Sequence, residues 1–329
     1  MKKYFLGVDT GATKSHALIV DENATPLGFG SGGAGNWEVV GWDGVEVTLN
    51  KILRDACQQA KITPSQISGA GFGLAGLDWE EDRAPHLSII RKIGILSPVN
   101  LVNDAFIGLP AGTDAGWGVV VSAGTSCNCY GRNPQGEIGR VTGAYFFGEY
   151  AGASELVGRA KQVVAHAWTR RGAPTKLTDA FLDLTGAKNP TDLLAGLMRG
   201  TYRIEAEHAP LVFQIAEAGD TVAQDLIRWA GFELGELAKA VIRQLDIADK
   251  NVDIVLAGSF YKGSPVVQEE MSKNIHTLAP KANLIRLDTP PVVGATLLGM
   301  EAGGLNAPPL RRVLAKKLER VMHFTRDKR

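Results

Sequence analysis

Along LGVDTGATKSHALIVDENATPLGFG an apolar strand runs into a Gly/Thr turn, a second strand follows, a polar turn at Asp21–Ala24 breaks it, and a third strand closes the stretch. The same pattern returns in WGVVVSAGTSCNCYGRNPQGEIGRV. There a strand runs into Ala123-Gly124-Thr125-Ser126, and a return strand leads to the turn Asn133-Pro134-Gln135-Gly136. Gly11 and Gly124 hold the same place in the two copies, which makes the pattern an internal repeat.

The plan continues in both halves with a helix, a strand ending in Leu-Ala-Gly, another helix, and a strand opening with Asn-Leu. Val45, Leu49, Ile52, Ala56 and Ala60 form a helical stripe in the first half; Val222, Leu226, Trp229, Leu237 and Val241 do so across Asp220–Leu245 in the second. Leu74-Ala75-Gly76 answers Leu256-Ala257-Gly258, and Asn100-Leu101-Val102 answers Asn283-Leu284-Ile285, each leading into a closing helix. The second half is longer, and its excess is helical in pattern. Three hairpin-linked strands followed by two helix-connected parallel strands, made twice, predict an α/β fold of two stacked domains, each a mixed five-stranded sheet with flanking helices and a ligand cleft between them. The boundary is placed near Gly116: residues 1–116 form an N-terminal domain, 117–300 a C-terminal domain with a helical insertion, and 301–329 a helical tail.

A length of 329 residues agrees with two domains, because single cores stop growing near about 250–300 residues. Net charge is zero, so a nucleic-acid partner is not expected; the one basic cluster, Arg311 to Arg329, is interrupted by acids and apolar residues and reads as a solvated helix. MKKYFLGVD passes straight into a strand and no apolar run approaches the roughly 18 residues of a membrane span, so no membrane association and a cytoplasmic location are expected. Cys57, Cys127 and Cys129 lack disulfide or zinc spacing and read as buried packing. His16, His86, His166, His208, His276 and His323 are scattered without metal spacing.

The chemistry gathers at strand ends. Asp9-Thr10-Gly11-Ala12-Thr13 ends the first strand with a carboxylate and a glycine-bearing turn whose N–H groups can converge on phosphate oxygens, and Gly124-Thr125-Ser126 offers the same device from the second half. Two such turns at equivalent repeat positions would grip a polyphosphate, with Asp9 facing a magnesium ion through water. The strand Asn100–Asn103 delivers Asp104 at its C-terminal end, where open α/β sheets place ligands. Asp104 is the candidate base; its alternative is a helix N-cap for the segment from Ala105. Trp37 and Trp42 either line a ligand site or pack a loop.

The ordered set LGVDTGATKS, GNW, GLAGLD, NDA, SAGTS, VLAGS and PPVVGATLLGM resembles the actin-like ATPase superfamily, and within it the N-acetylglucosamine kinase and BadF/BadG/BcrA/BcrD-type ATPase family. The resemblance implies two ribonuclease-H-like domains, ATP and Mg2+ as cofactors, and phosphoryl transfer to a hydroxyl of a sugar or amino sugar. It also implies a small-molecule sugar substrate and a homodimer. Carried onto this chain, it assigns Thr10, Gly11, Ala12, Thr13, Lys14, Gly124, Thr125 and Ser126 to the phosphates, Gly258 and Ser259 to the adenosine, and Asp104 to catalysis. Asn36, Gly76, Asp78 and Glu149 then fall near the sugar.

Two departures from the family's pattern stand out. Ser126 replaces a second glycine, which leaves the backbone less free to take φ > 0 there. TGAYFFGEYAGAS lacks the tryptophan and the Gly-Asp-Glu-Gly-Ser run of the N-acetylglucosamine kinases, with Glu149 the nearest acidic residue to the missing aspartate. The same family contains ATPase activators of iron–sulfur dehydratases or reductases, which carry a cluster cysteine before the second turn; here Val121 and Ser122 stand there, and Cys127 and Cys129 follow the turn. A filament or chaperone of the actin-like type would need insertions that 329 residues do not hold.

Overall fold

The computed structural model describes residues 2–141 and 151–326. In chain order it contains β1 (Tyr4–Thr10), β2 (Ser15–Asp21), β3 (Pro26–Gly32), α1 (Trp37–Ala60), β4 (Ile67–Leu74), α2 (Arg83–Lys92), β5 (Val99–Asn103) and α3 (Gly108–Gly112). There follow β6 (Gly118–Ala123), β7 (Cys127–Arg132), β8 (Ile138–Val141), α4 (Ala153–Trp168), α5 (Leu177–Thr185), α6 (Pro190–Arg199), α7 (Ala209–Glu217) and α8 (Thr221–Gln244). The chain ends with β9 (Asp253–Ala257), α9 (Pro265–His276), β10 (Asn283–Arg286), α10 (Pro291–Ala302) and α11 (Arg311–Arg326). The two sheets run β3-β2-β1-β4-β5 and β8-β7-β6-β9-β10, the same order twice. The repeat read from the sequence is therefore a repeat of topology.

The chain divides into two compact units, Met1–Val120 with Gly131–Ile138 and Ile285–Arg329, and Val121–Tyr130 with Gly139–Leu284. In the first unit, β1 pairs antiparallel with β2 and parallel with β4, whose register sets Gly7 opposite Gly71 and Asp9 opposite Gly73. One face of this sheet buries Leu6, Val8, Ile19 and Phe72 against Leu49, Ile52, Leu53 and Ala56 of α1 and Ile90 of α2. Each such aliphatic side chain contributes roughly 1.5–3 kcal/mol by leaving water. The stripe expected on α1 is the one that faces inward, with Ala60 only partly covered.

The opposite face of the same sheet packs Phe5, Leu18 and Val20 against Val293, Leu297 and Met300 of α10 and Leu314 and Leu318 of α11. This departs from the expected bounds at 117–300 and 301–329, which put α10 with the second sheet. The reason lies in a glycine stripe. A Cβ at Gly7 would collide with Thr296, and one at Gly71 with the Ala295 carbonyl, so two bare positions let the helix backbone settle on β1 and β4. The basic stretch at the C-terminus is helical as expected, yet Leu314 and Leu318 bury one face of it, and Lys317 Nζ donates to the Asn23 carbonyl at 2.9 Å.

In the second unit the helical excess supplies α4 to α7 before the long α8. Asp220 caps α8, accepting from Ala223 N–H at 2.8 Å, and also accepts from Thr175 Oγ1 at 3.0 Å and Lys176 N–H at 2.8 Å. The buried face of α8 centres on Ala223, Leu226, Ile227, Ala230, Leu234, Leu237 and Val241. Val222 and Trp229 of the expected stripe sit at its edge, half-buried. All three cysteines are buried and free.

Candidate functional site

Strand β5 ends at Asn103, and the chain then turns through residues 104–107 before α3 begins at Gly108. The Asn103 side chain takes the local capping role: its Oδ1 accepts the Ala105 N–H at 2.9 Å. Asp104 is not the N-cap of α3, a position held by Ile107. The half-buried Asp104 carboxyl is pushed up to about 7, first by burial and then by the negative charges of Asp9 and Asp78, while the Ala105 and Asp104 N–H groups pull weakly the other way. A carboxyl with a pKa near the working pH can hold or release a proton at little cost, the property a general base needs.

Asp78 belongs to the loop after β4. Asn103 Nδ2 donates to Asp78 Oδ1 at 2.9 Å and to the Leu77 carbonyl at 3.4 Å, so one buried amide ties this loop to the Asp104 turn. Gly76, at φ +79°, starts the loop in a conformation that favours glycine. Its carbonyl accepts from Trp37 Nε1 at 2.6 Å, and a Cβ on it would meet Asn36 Oδ1 and the Trp37 ring. Asn36 itself caps α1, accepting from Glu38 N–H at 2.9 Å. Trp37 stacks on Trp42 at 5.0 Å, and Trp42 meets the edge of buried His86 at 4.9 Å. The two tryptophans pack the loop. In this unit the structure thus brings together Asn36, Gly76 and Asp78, and sets Asp9 and Asp78 within electrostatic reach of Asp104.

At the end of β1, Asp9 Oδ2 lies 3.9 Å from His16 Nδ1, and Thr10 is fully buried with its Oγ1 unpartnered. Gly11 N–H donates to the Lys14 carbonyl at 3.0 Å and Gly35 N–H to the Gly11 carbonyl at 2.9 Å, which closes the turn; Ala12, Thr13 and Lys14 are exposed. Among the described residues no group of three His, Cys, Asp or Glu side chains is set to hold a metal ion. A cation at Asp9 would therefore keep most of its water, the habit of magnesium. Asp9, partly exposed at the end of β1, is the carboxylate that could face such a hydrated cation.

In the second unit, the turn between β6 and β7 closes with Gly124 N–H donating to the Ser126 carbonyl at 2.9 Å. Ala153 and Ser154 N–H, the first of α4, donate to the Gly124 and Thr125 carbonyls at 2.9 Å each, which fixes the turn on the helix start. Ser126 has no positive φ, so the missing glycine is not demanded by the backbone here. A Cβ on Gly124 would meet nothing within 4 Å, leaving open space above the turn. Gly258, at φ +100°, lies so close to the Ala123 carbonyl that a Cβ would collide with it. Beside these residues opens a cavity of about 690 Å³, lined by Gly124, Thr125 and Ser259 together with residues that no motif marked, among them Phe213, Phe260 and Lys262. Its volume is within the usual range for a small-molecule site, roughly 300–1,000 Å³.

Glu149 lies outside the described residues. Asn103 is the functional candidate that the sequence reading missed; its signal was the Asn-Asp pair at a strand end. Cys127 and Cys129 share one buried face of β7, and the Cys129 thiol is raised well above its ordinary value by burial and then by Cys127. Burial likewise pushes Cys57 up to about 11. Thiolates, the metal-binding form, are disfavoured at both.

Two mixed sheets of identical order, each with a glycine-bearing turn after its first strand, define the actin-like ATPase architecture. The chain belongs to the BadF/BadG/BcrA/BcrD ATPase family, whose pattern matches residues 6–299. It is 26% identical over 90% of its length, and 98% of the relative's, to an N-acetylmuramic acid/N-acetylglucosamine kinase of Clostridium acetobutylicum. It is 25% identical to an N-acetyl-D-glucosamine kinase of Dictyostelium discoideum, covering 92% of this chain and 99% of the relative. A solved structure of a candidate N-acetylglucosamine kinase from Chromobacterium violaceum superposes with a TM-score of 0.64 at 26% identity, over 90% of this chain and 98% of that one. No described helix is long and apolar enough to cross a membrane.

Proposed function

We propose that this protein is an ATP-dependent kinase that transfers the γ-phosphate to a hydroxyl of a sugar or amino sugar. The observation that carries the reading is Asp104: a strand-end carboxyl with a pKa near 7, beside Asp78 and Asp9, in a family whose similar members are named as kinases of N-acetylated sugars. Asp104 orients the acceptor hydroxyl and takes its proton as the new O–P bond forms and ADP leaves. Phosphoryl transfer asks little covalent help of a protein, so positioning dominates, and the general base adds on the order of a hundredfold to ten-thousandfold. Asn103 holds Asp78 and the Asp104 turn in one arrangement, while Asn36 and the Gly76 loop border the acceptor.

The turn at Gly124–Ser126 receives phosphates, and the neighbouring cavity receives the nucleoside past Gly258 and Ser259. Magnesium, when bound, supplies charge neutralisation at the phosphates, and Asp9 would hold it through water. The 9–14 turn, with Ala12, Thr13 and Lys14 exposed, is a second candidate phosphate-binding turn. A cytoplasmic location belongs to this reading. Association as a homodimer belongs to this reading, and light scattering of the purified protein tests it.

Acceptor-stimulated ADP release across N-acetylglucosamine, N-acetylmuramic acid, glucosamine, glucose and mannose tests the function. At least one amino sugar or hexose should stimulate release strongly, and its 6-deoxy analogue should not. A flat response across the panel removes the kinase reading. The iron–sulfur activator reading is disfavoured by the burial of Cys127 and Cys129 and by the raised Cys129 thiol, and anaerobically purified protein should carry no stoichiometric iron.

A further inference from the structure

The polar and apolar linings of the second-unit cavity are sharply sorted. Among the described residues its buried lining is apolar: Ala209, Phe213 and Phe260, the two rings meeting edge to face at 5.4 Å. Its polar side chains, Thr125, Glu207, Gln214, Glu217, Ser259 and Lys262, are all exposed. A smaller cavity of about 370 Å³ adjoins it and shares Phe213, Glu217 and Gly263, which marks that end as the one away from the Gly124–Thr125 turn. With phosphates at the turn, the nucleobase rests toward Phe213 and Glu217.

Base discrimination depends on what a wrong base leaves unpaired. A site that buries its reading groups rejects an analogue lacking the matching donor by roughly ten-thousandfold or more, because those groups then lose their partners away from water. Exposed, rotatable groups find water instead. Glu217 and Gln214 sit on the solvent side of α7, so neither adenine nor guanine strands a buried donor or acceptor at that end. What remains is apolar contact with Phe213 and Phe260, which every purine face provides. The acceptor side is built in the opposite way, around buried Asn103 and the half-buried Asp104.

We infer that the donor cavity is a general purine-nucleotide site, and that the enzyme uses GTP and ITP as phosphoryl donors alongside ATP. The inference rests on the kinase reading above for its catalytic readout, though not for binding. Two measurements keep them apart. With the best acceptor at saturation, sugar phosphate is quantified by mass spectrometry, and kcat/KM is compared for ATP, GTP and ITP. GTP and ITP should each lie within about thirtyfold of ATP, and a larger gap for either overturns the inference. In parallel, GTP and ATP compete against a fluorescent ATP analogue; affinities within the same factor support a general site, and failure of GTP to compete overturns it, whether or not any acceptor is turned over. Gln214→Ala and Glu217→Ala should each change the ATP-to-GTP ratio by less than about threefold. A tenfold or larger change in either variant would show that side chain reading the base and would refute the inference.

Discussion

Asp104→Asn exchanges a carboxyl for an amide of the same shape, and its effect on stability follows from the raised pKa. The shift from 3.8 to about 7 corresponds to about 4 kcal/mol against the charged form, at about 1.4 kcal/mol per unit. Because Asp104 is only half-buried, solvent screening reduces this to roughly 1–3 kcal/mol. A raised folded-state pKa means the native protein keeps the proton after the unfolded chain has lost it. Stability is therefore full below about pH 4, falls as pH rises through about pH 7, and stays low above. Asparagine carries no such penalty. The variant should melt above the wild type, by about 2–4 °C per kcal/mol, and its advantage should be larger at pH 8.5 than at pH 5. Thermal melts of both proteins at the two pH values give the comparison, with the titrating groups not coupled to Asp104 cancelling between them. A capping aspartate would behave otherwise, since Asn caps about as well as Asp and the advantage would not grow with pH. Lower stability of the variant at pH 8.5, or an equal difference at both pH values, rules out a raised Asp104 pKa.

Three further outcomes are expected. Asn103→Leu removes the donor to Asp78 and the acceptor for Ala105 N–H, and should cost about 1–3 kcal/mol in urea unfolding and lower kcat more than it alters ATP affinity; a variant with wild-type kcat would remove the positioning role. Gly76→Ala forces a side chain into positive φ against Asn36 and Trp37, so the KM for the sugar should rise while that for ATP holds, and a matched rise in both would contradict the assignment of that loop. The kcat/KM for the acceptor should climb about tenfold per pH unit below about pH 7 and level above it, as Asp104 loses its proton; a flat profile from pH 5.5 to 8 would speak against a base of that pKa.

The repeat was legible because strand alternation and Gly-rich turns are local signals, and the same order of signals came twice. The placement of α10 was not. PVVGATLLGMEA is buried on nearly every side, so it has no polar face to say which sheet it covers, and its seat depends on Gly7 and Gly71, more than 200 residues earlier in the chain. Asp104 was legible from its place at the end of β5. Asn103 carried no visible role, because its partner Asp78 meets it only through the parallel pairing of β4 and β5. Phe213 and Phe260 belong to an amphipathic helix and a short turn whose patterns predict burial, and burial alone does not distinguish a cavity wall from a core. Asn36 was expected near the sugar and Trp37 either at a ligand site or in loop packing; the hydrogen bonds of Asn36 and Trp37 hold the start of α1 and the Gly76 loop.

Single-turnover transfer from ATP to the best acceptor measures the role of Asp104 as the base of a sugar phosphotransferase. Asp104→Asn should bind ATP and the fluorescent analogue as the wild type does, yet form sugar phosphate at least about a hundredfold more slowly. Transfer within a fewfold of wild type, with nucleotide affinity unchanged, would show that Asp104 is not the base.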